Sequence, residues 1–245
     1  MGQNMVRAMA SNPDFHIAFG VDRTPDKFAN GFPVLPKVEF SCPPVDLIID
    51  FSHPDNLSDL LAFAVSTGAA ALIATTGLSD ENHALISESG LQIPVLTAAN
   101  TSLGINTVVA VLRELRSRLG SSFDVEIIEK HHRHKLDAPS GTACLFAQVI
   151  TKTADADLKQ VYGREGRCGP REQAEIGVHA VRGGGICGDH TVIFAGEHEV
   201  IEIRHSALSR ELFAYDALRL GRKLVLRPPG IYSTEDLWHS KTEEA

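Results

Sequence analysis

The sequence lacks several features that identify common classes of protein. Its 245 residues carry a formal net charge of -8, which argues against a nucleic-acid binder held by phosphate contacts. The 4 cysteines form no Cys-x-x-Cys pair, which fits reduced thiols rather than a disulfide framework. No apolar run approaches the roughly 20 residues that cross a membrane, and the first residues lack the apolar stretch of a signal peptide. We therefore expect a cytoplasmic protein that binds neither nucleic acid nor a membrane.

The most informative segment is a run of histidines and basic residues just before a predicted helix. It reads Glu129-Lys130-His131-His132-Arg133-His134-Lys135-Leu136-Asp137-Ala138-Pro139-Ser140-Gly141-Thr142-Ala143. Residues 123–128 before it alternate and end in β-branched side chains, which predicts a strand that delivers the histidines at its carboxyl end. Gly141 and the amides of the first helical turn favour a bound carboxylate or phosphate.

The helix dipole alone is too weak for such a site, since it contributes only about 0.3–1 kcal/mol, rising to about 2 kcal/mol when partly buried. A cation must help, and Lys135 is the obvious one. Histidine ionises near neutral pH, so one of the three imidazoles could also donate a proton during a reaction. The run therefore predicts an anion site beside a proton donor.

Two other interpretations of this run stay open from the residues alone. A cluster of His, Arg and Lys is most often a solvated basic turn. Adjacent histidines also ligate zinc, but no cysteine or acidic partner lies at a familiar ligand spacing. Gly141 at the helix start favours the anion site, and no metal is predicted.

The first half of the chain alternates short apolar strands with helices. Strands are predicted at residues 16–21, 45–51, 70–75 and 93–97, and helices at residues 54–67 and 79–89, the last capped by Ser79. This order favours a parallel sheet covered on both faces, in which ligands bind beyond the carboxyl ends of the strands.

The pattern changes after an amphipathic helix at residues 106–119. Longer, more strongly alternating strands follow as far as residue 206, and they predict an open mixed or antiparallel sheet with one solvated or partner-covered face. Residues 163–171 are predicted as a loop. Residues 210–225 are predicted as a last helix that packs back on the first domain.

The histidine-rich run resembles the signature of the dihydrodipicolinate reductase family, now called 4-hydroxy-tetrahydrodipicolinate reductases. The similarity continues through residues 163–166, 175–184 and 205–210 and covers nearly the whole chain. It implies an α/β fold with two domains. A Rossmann-like parallel-sheet domain that binds the dinucleotide is expected at residues 1–101 and 208–245. An α+β domain with an open mixed sheet, which binds substrate and forms the tetramer, is expected at residues 102–207.

Family members begin with an apolar strand and a glycine-rich phosphate turn, whose end aligns with Met1-Gly2 here. Residues 3–10 are then expected as the helix after that turn. The first strand and the glycine turn are thus expected to be missing from this sequence. We attribute this to a mis-assigned or truncated start, because a sheet without its central strand exposes two edges and a large apolar surface.

The resemblance also implies a reaction: NADH- or NADPH-dependent reduction of the cyclic dicarboxylate 4-hydroxy-tetrahydrodipicolinate to tetrahydrodipicolinate, in lysine and diaminopimelate biosynthesis. Carried over by motif, His131 is the proton donor and acceptor and Lys135 the second catalytic residue. Substrate contacts are expected from His132, Gly141 and Thr142. A homotetramer formed through the second sheet is also expected.

The residues expected to contact the cofactor follow predicted strands of the first domain. Asp22 and Arg23 follow a predicted strand, where a carboxylate commonly accepts from ribose hydroxyls and an arginine suits a 2′-phosphate, although a charged turn is as good an interpretation. The family implies further cofactor contacts from Ala74, Thr75, Thr76, Ala98, Ala99, Asn100 and Thr101. Many relatives carry Phe where this chain has Thr101, which leaves the choice between NADH and NADPH open.

Two alternatives to this enzyme are compatible with parts of the sequence. One is a non-catalytic homologue that binds a dicarboxylate but has lost its phosphate loop, and it would bind neither NADH nor NADPH. The other is a nicotinamide-dependent reductase or dehydrogenase of similar two-domain build that acts on an aspartate-derived substrate. The histidine-rich run disfavours the second alternative.

Overall fold

The computed structural model describes residues 1–154 and 157–238, and the chain divides into two compact units. The first unit contains Met1–Ser102 and the described residues from Glu211 onward, and the second contains Leu103–Arg210. The α-helices are α1 (Gly2–Ala10), α2 (Leu57–Thr67), α3 (Asp80–Ser89), α4 (Leu103–Leu119), α5 (Gly141–Thr153), α6 (Glu211–Leu224) and α7 (Thr234–Trp238). The strands are β1 (Gly20–Val21), β2 (Val34–Leu35), β3 (Leu47–Asp50), β4 (Ala70–Ile73), β5 (Pro94–Thr97), β6 (Asp124–His131), β7 (Lys159–Tyr162), β8 (Glu175–Arg182), β9 (Asp189–Ala195), β10 (Val200–Ser206) and β11 (Gly230–Tyr232).

A parallel sheet in the order β11-β5-β4-β3 forms the centre of the first unit. Its strands are short and apolar, as expected for strands buried on both faces. On one face Ala71, Ile73 and Val95 pack against α2 and α3. On the other face Leu72 and Leu96 pack against α6. The predicted parallel sheet with helices on both sides is confirmed.

The capping of the helices in this unit follows from local sequence. Ser79 caps α3, since its hydroxyl accepts from the backbone N–H of Asn82 while the Asn82 side chain accepts from the Ser79 N–H. Gly68 ends α2 in the left-handed conformation, at φ 72°, which glycine adopts without steric cost. The predicted start of α3 is confirmed.

The first predicted strand, at residues 16–21, is largely wrong. Only Gly20 and Val21 are strand, and they pair with Val34–Leu35 in a separate two-stranded sheet instead of joining the four-stranded one. An extended segment needs a neighbouring strand for its N–H and C=O groups, and only the last two residues of this segment have one. The remaining four residues are irregular.

The second unit contains a mixed sheet in the order β10-β9-β6-β8-β7. β10, β9 and β6 are antiparallel, whereas β6, β8 and β7 run parallel. On one face of this sheet lie α4 and α5, whose apolar side chains, such as Phe146, enclose a core with Ile127 and Phe194. The predicted open mixed sheet is confirmed, as is the loop at residues 163–171.

The predicted last helix is confirmed as α6, and it belongs to the first unit. Ala214 and Leu218 of α6 are fully buried with Ala8 of α1. Among the described residues, every helix is too short or too polar to span a membrane.

Candidate active site

The inward face of β6 changes from apolar to ionisable toward its carboxyl end. Successive strand residues point to opposite faces, so Val125, Ile127, Glu129 and His131 share one face. The first two lie in the apolar core. Glu129 is 0% and His131 9% exposed, so the strand carries two ionisable groups out of the core and into one buried corner.

Glu129 is the centre of that corner. The guanidinium of Arg182 donates to both of its carboxylate oxygens, at 2.6 and 2.7 Å. The backbone N–H of Ser140 donates at 3.0 Å, and Nδ1 of His131 lies 2.6 Å from Oε2. Burial works against ionisation of Glu129, but the hydrogen bonds from Arg182 and His131 outweigh it and hold the pKa of Glu129 below its usual value.

The start of α5 is attached to the same corner through Ser140. Ser140 is the N-cap, and its hydroxyl accepts from the Ala143 N–H at 3.2 Å. The same hydroxyl lies 2.9 Å from Nε2 of His190 on β9. Gly141 and Thr142 are the first two residues of the helix, and a Cβ added at Gly141 would meet nothing within 4 Å. The helix therefore begins beside His131 with open space at its first residue.

His190 closes this corner from the β9 side. Its ring centroid lies 5.2 Å from that of His131 and 5.8 Å from that of Phe146. Burial, and then the neighbouring His131, lower the pKa of His190 to about 4, so the ring is neutral at physiological pH.

His132 and Lys135 continue the run beyond β6. His132 Nε2 accepts a hydrogen bond from the Arg210 guanidinium. Burial, and then Arg210, hold the pKa of His132 below its usual value. The ammonium of Lys135 is mostly shielded, with 19% of its side chain exposed, and it lies 2.7 Å from Asp137 Oδ1. Arg210 and Lys135 thus add positive charge to this part of the second unit.

Of the predicted cofactor residues, those after β4 and β5 lie together at the carboxyl edge of the parallel sheet. β4 and β5 are neighbours, and the Ala98 N–H donates to the Ile73 carbonyl at 2.9 Å. Thr75 is buried and donates to Asp50 Oδ2 at 2.7 Å. Thr76 and Ala99 are exposed, while Ala74 and Asn100 are half-buried. The Thr101 hydroxyl is engaged within the unit, donating to the Phe213 carbonyl at 2.8 Å.

Asp22 and Arg23 follow β1, and both are exposed. Asp22 Oδ1 accepts from the backbone N–H of Thr24 at 2.8 Å and from its hydroxyl at 3.0 Å. These bonds hold the pKa of Asp22 below its usual value. This pair follows a strand of the two-stranded sheet, whereas the other predicted cofactor residues follow strands of the four-stranded sheet.

The structure thus brings His131 together with the start of α5, and it adds residues that sequence reasoning missed. Arg182 lies directly opposite His131 in the β6–β8 register, and His190 comes from β9. One signal was available: Glu129 lies two residues before His131, so a strand places both on one face. Within the described ranges no cluster of His, Cys, Asp and Glu is arranged to hold a metal ion.

Two family models match the chain along nearly its whole length. The model described as "Dihydrodipicolinate reductase, N-terminus" matches residues 1–101, and the one described as "Dihydrodipicolinate reductase, C-terminus" matches residues 104–238. The 4-hydroxy-tetrahydrodipicolinate reductase of Caldanaerobacter subterraneus subsp. tengcongensis is 42% identical over 237 residues, 97% of this chain and 93% of that protein. The reductase of the same name from Clostridium tetani is 40% identical over 240 residues, 98% of this chain and 93% of that protein.

Solved structures show the same likeness. The dipicolinate-bound dihydrodipicolinate reductase from Paenisporosarcina sp. TG-14 superposes with a TM-score of 0.70 at 25% identity, over 95% of this chain and 92% of that one. The DAP dehydrogenase of C. glutamicum reaches a TM-score of 0.52 at 13% identity, over 95% of this chain and 89% of that one, which shows the fold alone.

Proposed function

The chain belongs to the dihydrodipicolinate reductase family, and from this premise we propose how its residues carry out the family's reaction. It is an NAD(P)H-dependent oxidoreductase of lysine biosynthesis that reduces 4-hydroxy-tetrahydrodipicolinate to tetrahydrodipicolinate. Relatives that are 40–42% identical over nearly the whole chain favour this enzyme over a non-catalytic binding protein.

The observation that carries the proposed residue roles is the junction of β6 and α5. Glu129 bonds both to His131 and to the N-cap of α5, so an anion bound at the first turn of α5 would lie beside an imidazole. His131 is then the group that gives the proton to the substrate. His132, Gly141 and Thr142 bind the dicarboxylate, with the Gly141 and Thr142 amides and the helix dipole facing a carboxylate.

Lys135 is the second catalytic residue in this proposal. Its ammonium is held by Asp137, whose pKa is kept below its usual value because the hydrogen bond from Lys135 outweighs the opposing effect of burial. A substrate carboxylate would replace or share Asp137 as the partner of Lys135. The cation would then stabilise negative charge that develops at the substrate during reduction.

The described residues of the first unit fit a dinucleotide. The parallel strands end at one edge in small and hydroxyl-bearing residues, and an ionised Asp22 suits the hydroxyl donors of a ribose. We assign cofactor contacts to Asp22, Arg23, Ala74, Thr75, Thr76, Ala98, Ala99, Asn100 and Thr101. When bound, NADH or NADPH supplies the hydride.

The assembly and location of the protein form part of the same proposal. The outward face of the mixed sheet carries half-exposed apolar residues, among them Val181 and Val200, which supports a homotetramer built through this sheet. A cytoplasmic enzyme agrees with unpaired cysteines and with the soluble nature of both substrate and cofactor. Sedimentation that shows only monomer would oppose the tetramer.

Substitution of the two reacting residues tests the proposed roles. We expect His131→Gln and Lys135→Ala each to lower kcat by about 100- to 10,000-fold with the fold intact, because a positioned acid or cation contributes that much. His134→Gln, an exposed histidine of the same run, is the matched control and should keep nearly normal turnover. Near-normal kcat in both reactive-site variants would refute the assignment.

Titration with cofactor separates the enzyme from a binding protein. We expect purified protein to bind NADH or NADPH and also dipicolinate, a planar product-like dicarboxylate that should inhibit competitively. A non-catalytic homologue would bind dipicolinate alone. Comparing the dissociation constants of NADH and NADPH gives the cofactor preference, which Asp22 and Arg23 leave open.

A further inference from the structure

Glu129 accepts more hydrogen bonds than a simple ion pair would provide. It is 0% exposed, and Arg182 donates to both of its oxygens, at 2.6 and 2.7 Å. Arg182 is itself held in place, since one of its nitrogens also donates to the Asp137 carbonyl at 2.7 Å. The remaining contacts of Glu129, Ser140 N–H and His131 Nδ1, belong to the α5 start and the proposed proton donor. Arg182 and the Ser140 N–H thus hold the Glu129 carboxylate against the His131 ring.

The protonation state of this carboxylate decides which nitrogen of His131 carries a proton. An ionised carboxylate accepts hydrogen bonds and cannot donate one. At 2.6 Å from Oε2, His131 Nδ1 must therefore be the donor, in the neutral ring as well as in the cation. The proton that the ring can lose is consequently the one on Nε2.

The surroundings of Nε2 agree with that assignment. Gly188 lies on this side of the ring, and a Cβ there would approach Nε2 to 3.1 Å, so the glycine leaves the nitrogen uncrowded. The other ionisable groups around the ring are Arg182 from β8, His190 from β9 and the adjacent His132. Glu129 is the acceptor that meets Nδ1.

We propose that Glu129 is a positioning residue that keeps a proton on Nδ1 of His131 and so makes Nε2 the nitrogen from which the substrate receives its proton. In that step the Nε2–H bond of the imidazolium breaks, the proton bonds to the substrate, and the ring is left neutral with its proton on Nδ1. Because the same carboxylate binds the Ser140 N–H, it also holds the ring in register with the start of α5. This inference rests on the proposed role of His131 as proton donor.

The substitution Glu129→Gln tests this role because it preserves shape while changing hydrogen-bonding capacity. The amide oxygen can still accept from the Ser140 N–H and from Arg182 Nη2. The amide nitrogen replaces the oxygen that accepts from Arg182 Nη1, and it donates toward Nδ1. The neutral ring would then move its proton to Nε2, the wrong tautomer for regenerating the donor. We expect kcat to fall at least about 10-fold, with a much smaller change in KM for the dicarboxylate.

Glu126→Gln is the matched control. Glu126 is on the same strand with its side chain on the opposite face, and it also accepts from two arginines and a histidine, namely Arg164, Arg171 and His179. This variant loses a comparable ionic cluster without touching His131. We expect its kcat to stay near that of the wild type.

The tautomer of His131 is the decisive measurement. Long-range 1H–15N NMR spectra of the imidazoles, with the His131 signals identified by their loss in His131→Gln, should show Nδ1–H in the neutral ring of the wild type and Nε2–H in Glu129→Gln. An Nε2–H tautomer in the wild type would overturn the proposal, even if Glu129→Gln fails to fold. So would a kcat loss in Glu129→Gln no larger than that in Glu126→Gln.

This measurement is independent of the proposed function. The NMR experiment needs neither substrate nor cofactor, so an inactive wild type with the expected tautomer would oppose the reductase mechanism and leave the positioning of the ring standing. An active wild type with Nε2–H in its neutral His131 ring would support the reductase and overturn the proposed positioning by Glu129.

Discussion

Gly141→Ala should separate ligand binding from stability, because the two are expected to change in opposite directions. Gly141 is the first residue of α5, its φ lies outside the left-handed region, and an added Cβ would meet no atom within 4 Å. The protein itself therefore has room for alanine. Replacing glycine by alanine in a helix stabilises it by at most about 1 kcal/mol, so the melting temperature should stay the same or rise by a few degrees.

The affinity for a dicarboxylate should fall in the same variant. The methyl group would occupy the space through which a carboxylate approaches the amides of the first turn. Losing one hydrogen bond to a charged group costs about 1.5–3 kcal/mol, which makes the dissociation constant roughly 10- to 150-fold larger. Calorimetric titration with dipicolinate measures the affinity, and thermal unfolding measures the stability.

Gly2→Ala is the control for this experiment. Gly2 is also the first residue of a helix, α1, and an added Cβ there likewise meets nothing within 4 Å. It should show a similar change in melting temperature with unchanged dipicolinate affinity. If Gly141→Ala binds dipicolinate as tightly as Gly2→Ala, the carboxylate does not contact this turn, and the reasoning fails.

Two further predictions concern the rings near this turn. The pKa of His190 is about 4 in the folded protein, whereas its ordinary value in the unfolded chain is 6.5. Between these two pH values the unfolded chain binds a proton that the folded protein does not. The free energy of unfolding therefore falls as the pH drops from about 6.5 to about 4. Denaturant unfolding measures this free energy from pH 7 to 4.5. It should fall more steeply with pH in the wild type than in His190→Gln, by up to about 1.4 kcal/mol per pH unit. Identical pH slopes in the two proteins would contradict a neutral His190 in the folded state. Gly188→Ala should crowd His131 Nε2 and lower kcat about 10-fold. Gly184→Ala is the control, because Gly184 also has a positive φ but an added Cβ there meets nothing within 4 Å, and its kcat should fall much less; equal rates would show that Nε2 is not the reacting nitrogen.

Much of the fold follows from local sequence. Apolar strands alternating with amphipathic helices predict the parallel sheet, since each element must bury one face against its neighbours. Ser79 and Ser140 mark helix starts because a hydroxyl can accept from a first-turn amide before any tertiary contact forms. The extent of the strand at residues 16–21 was wrong, because pairing depends on a neighbour that the segment does not encode.

The sequence identified only some of the residues of the candidate site. The run from Glu129 to Thr142 contains the histidines, the lysine and the helix start within a few residues, so a short motif identified them. Arg182 and His190 are 53 and 50 residues from their partners Glu129 and Ser140, and no local pattern points to them. They reach these partners because β8 and β9 flank β6 in a register that places Arg182 opposite His131 and His190 opposite Glu129.

The sequence by itself therefore determined the family, the alternation of strands and helices, and the side chains available for reaction, because these depend on residue type and near neighbours. The tertiary structure alone decided how those side chains are arranged. It buried Glu129 beside His131, supplied Arg182 to keep the carboxylate ionised, and connected both to the first turn of α5. Glu129 and His131 are close in sequence, but the groups that hold Glu129 ionised, Arg182 on β8 and the Ser140 N–H, are not both near it in the chain. The nitrogen from which His131 would give its proton could therefore be inferred only from the assembled sheet.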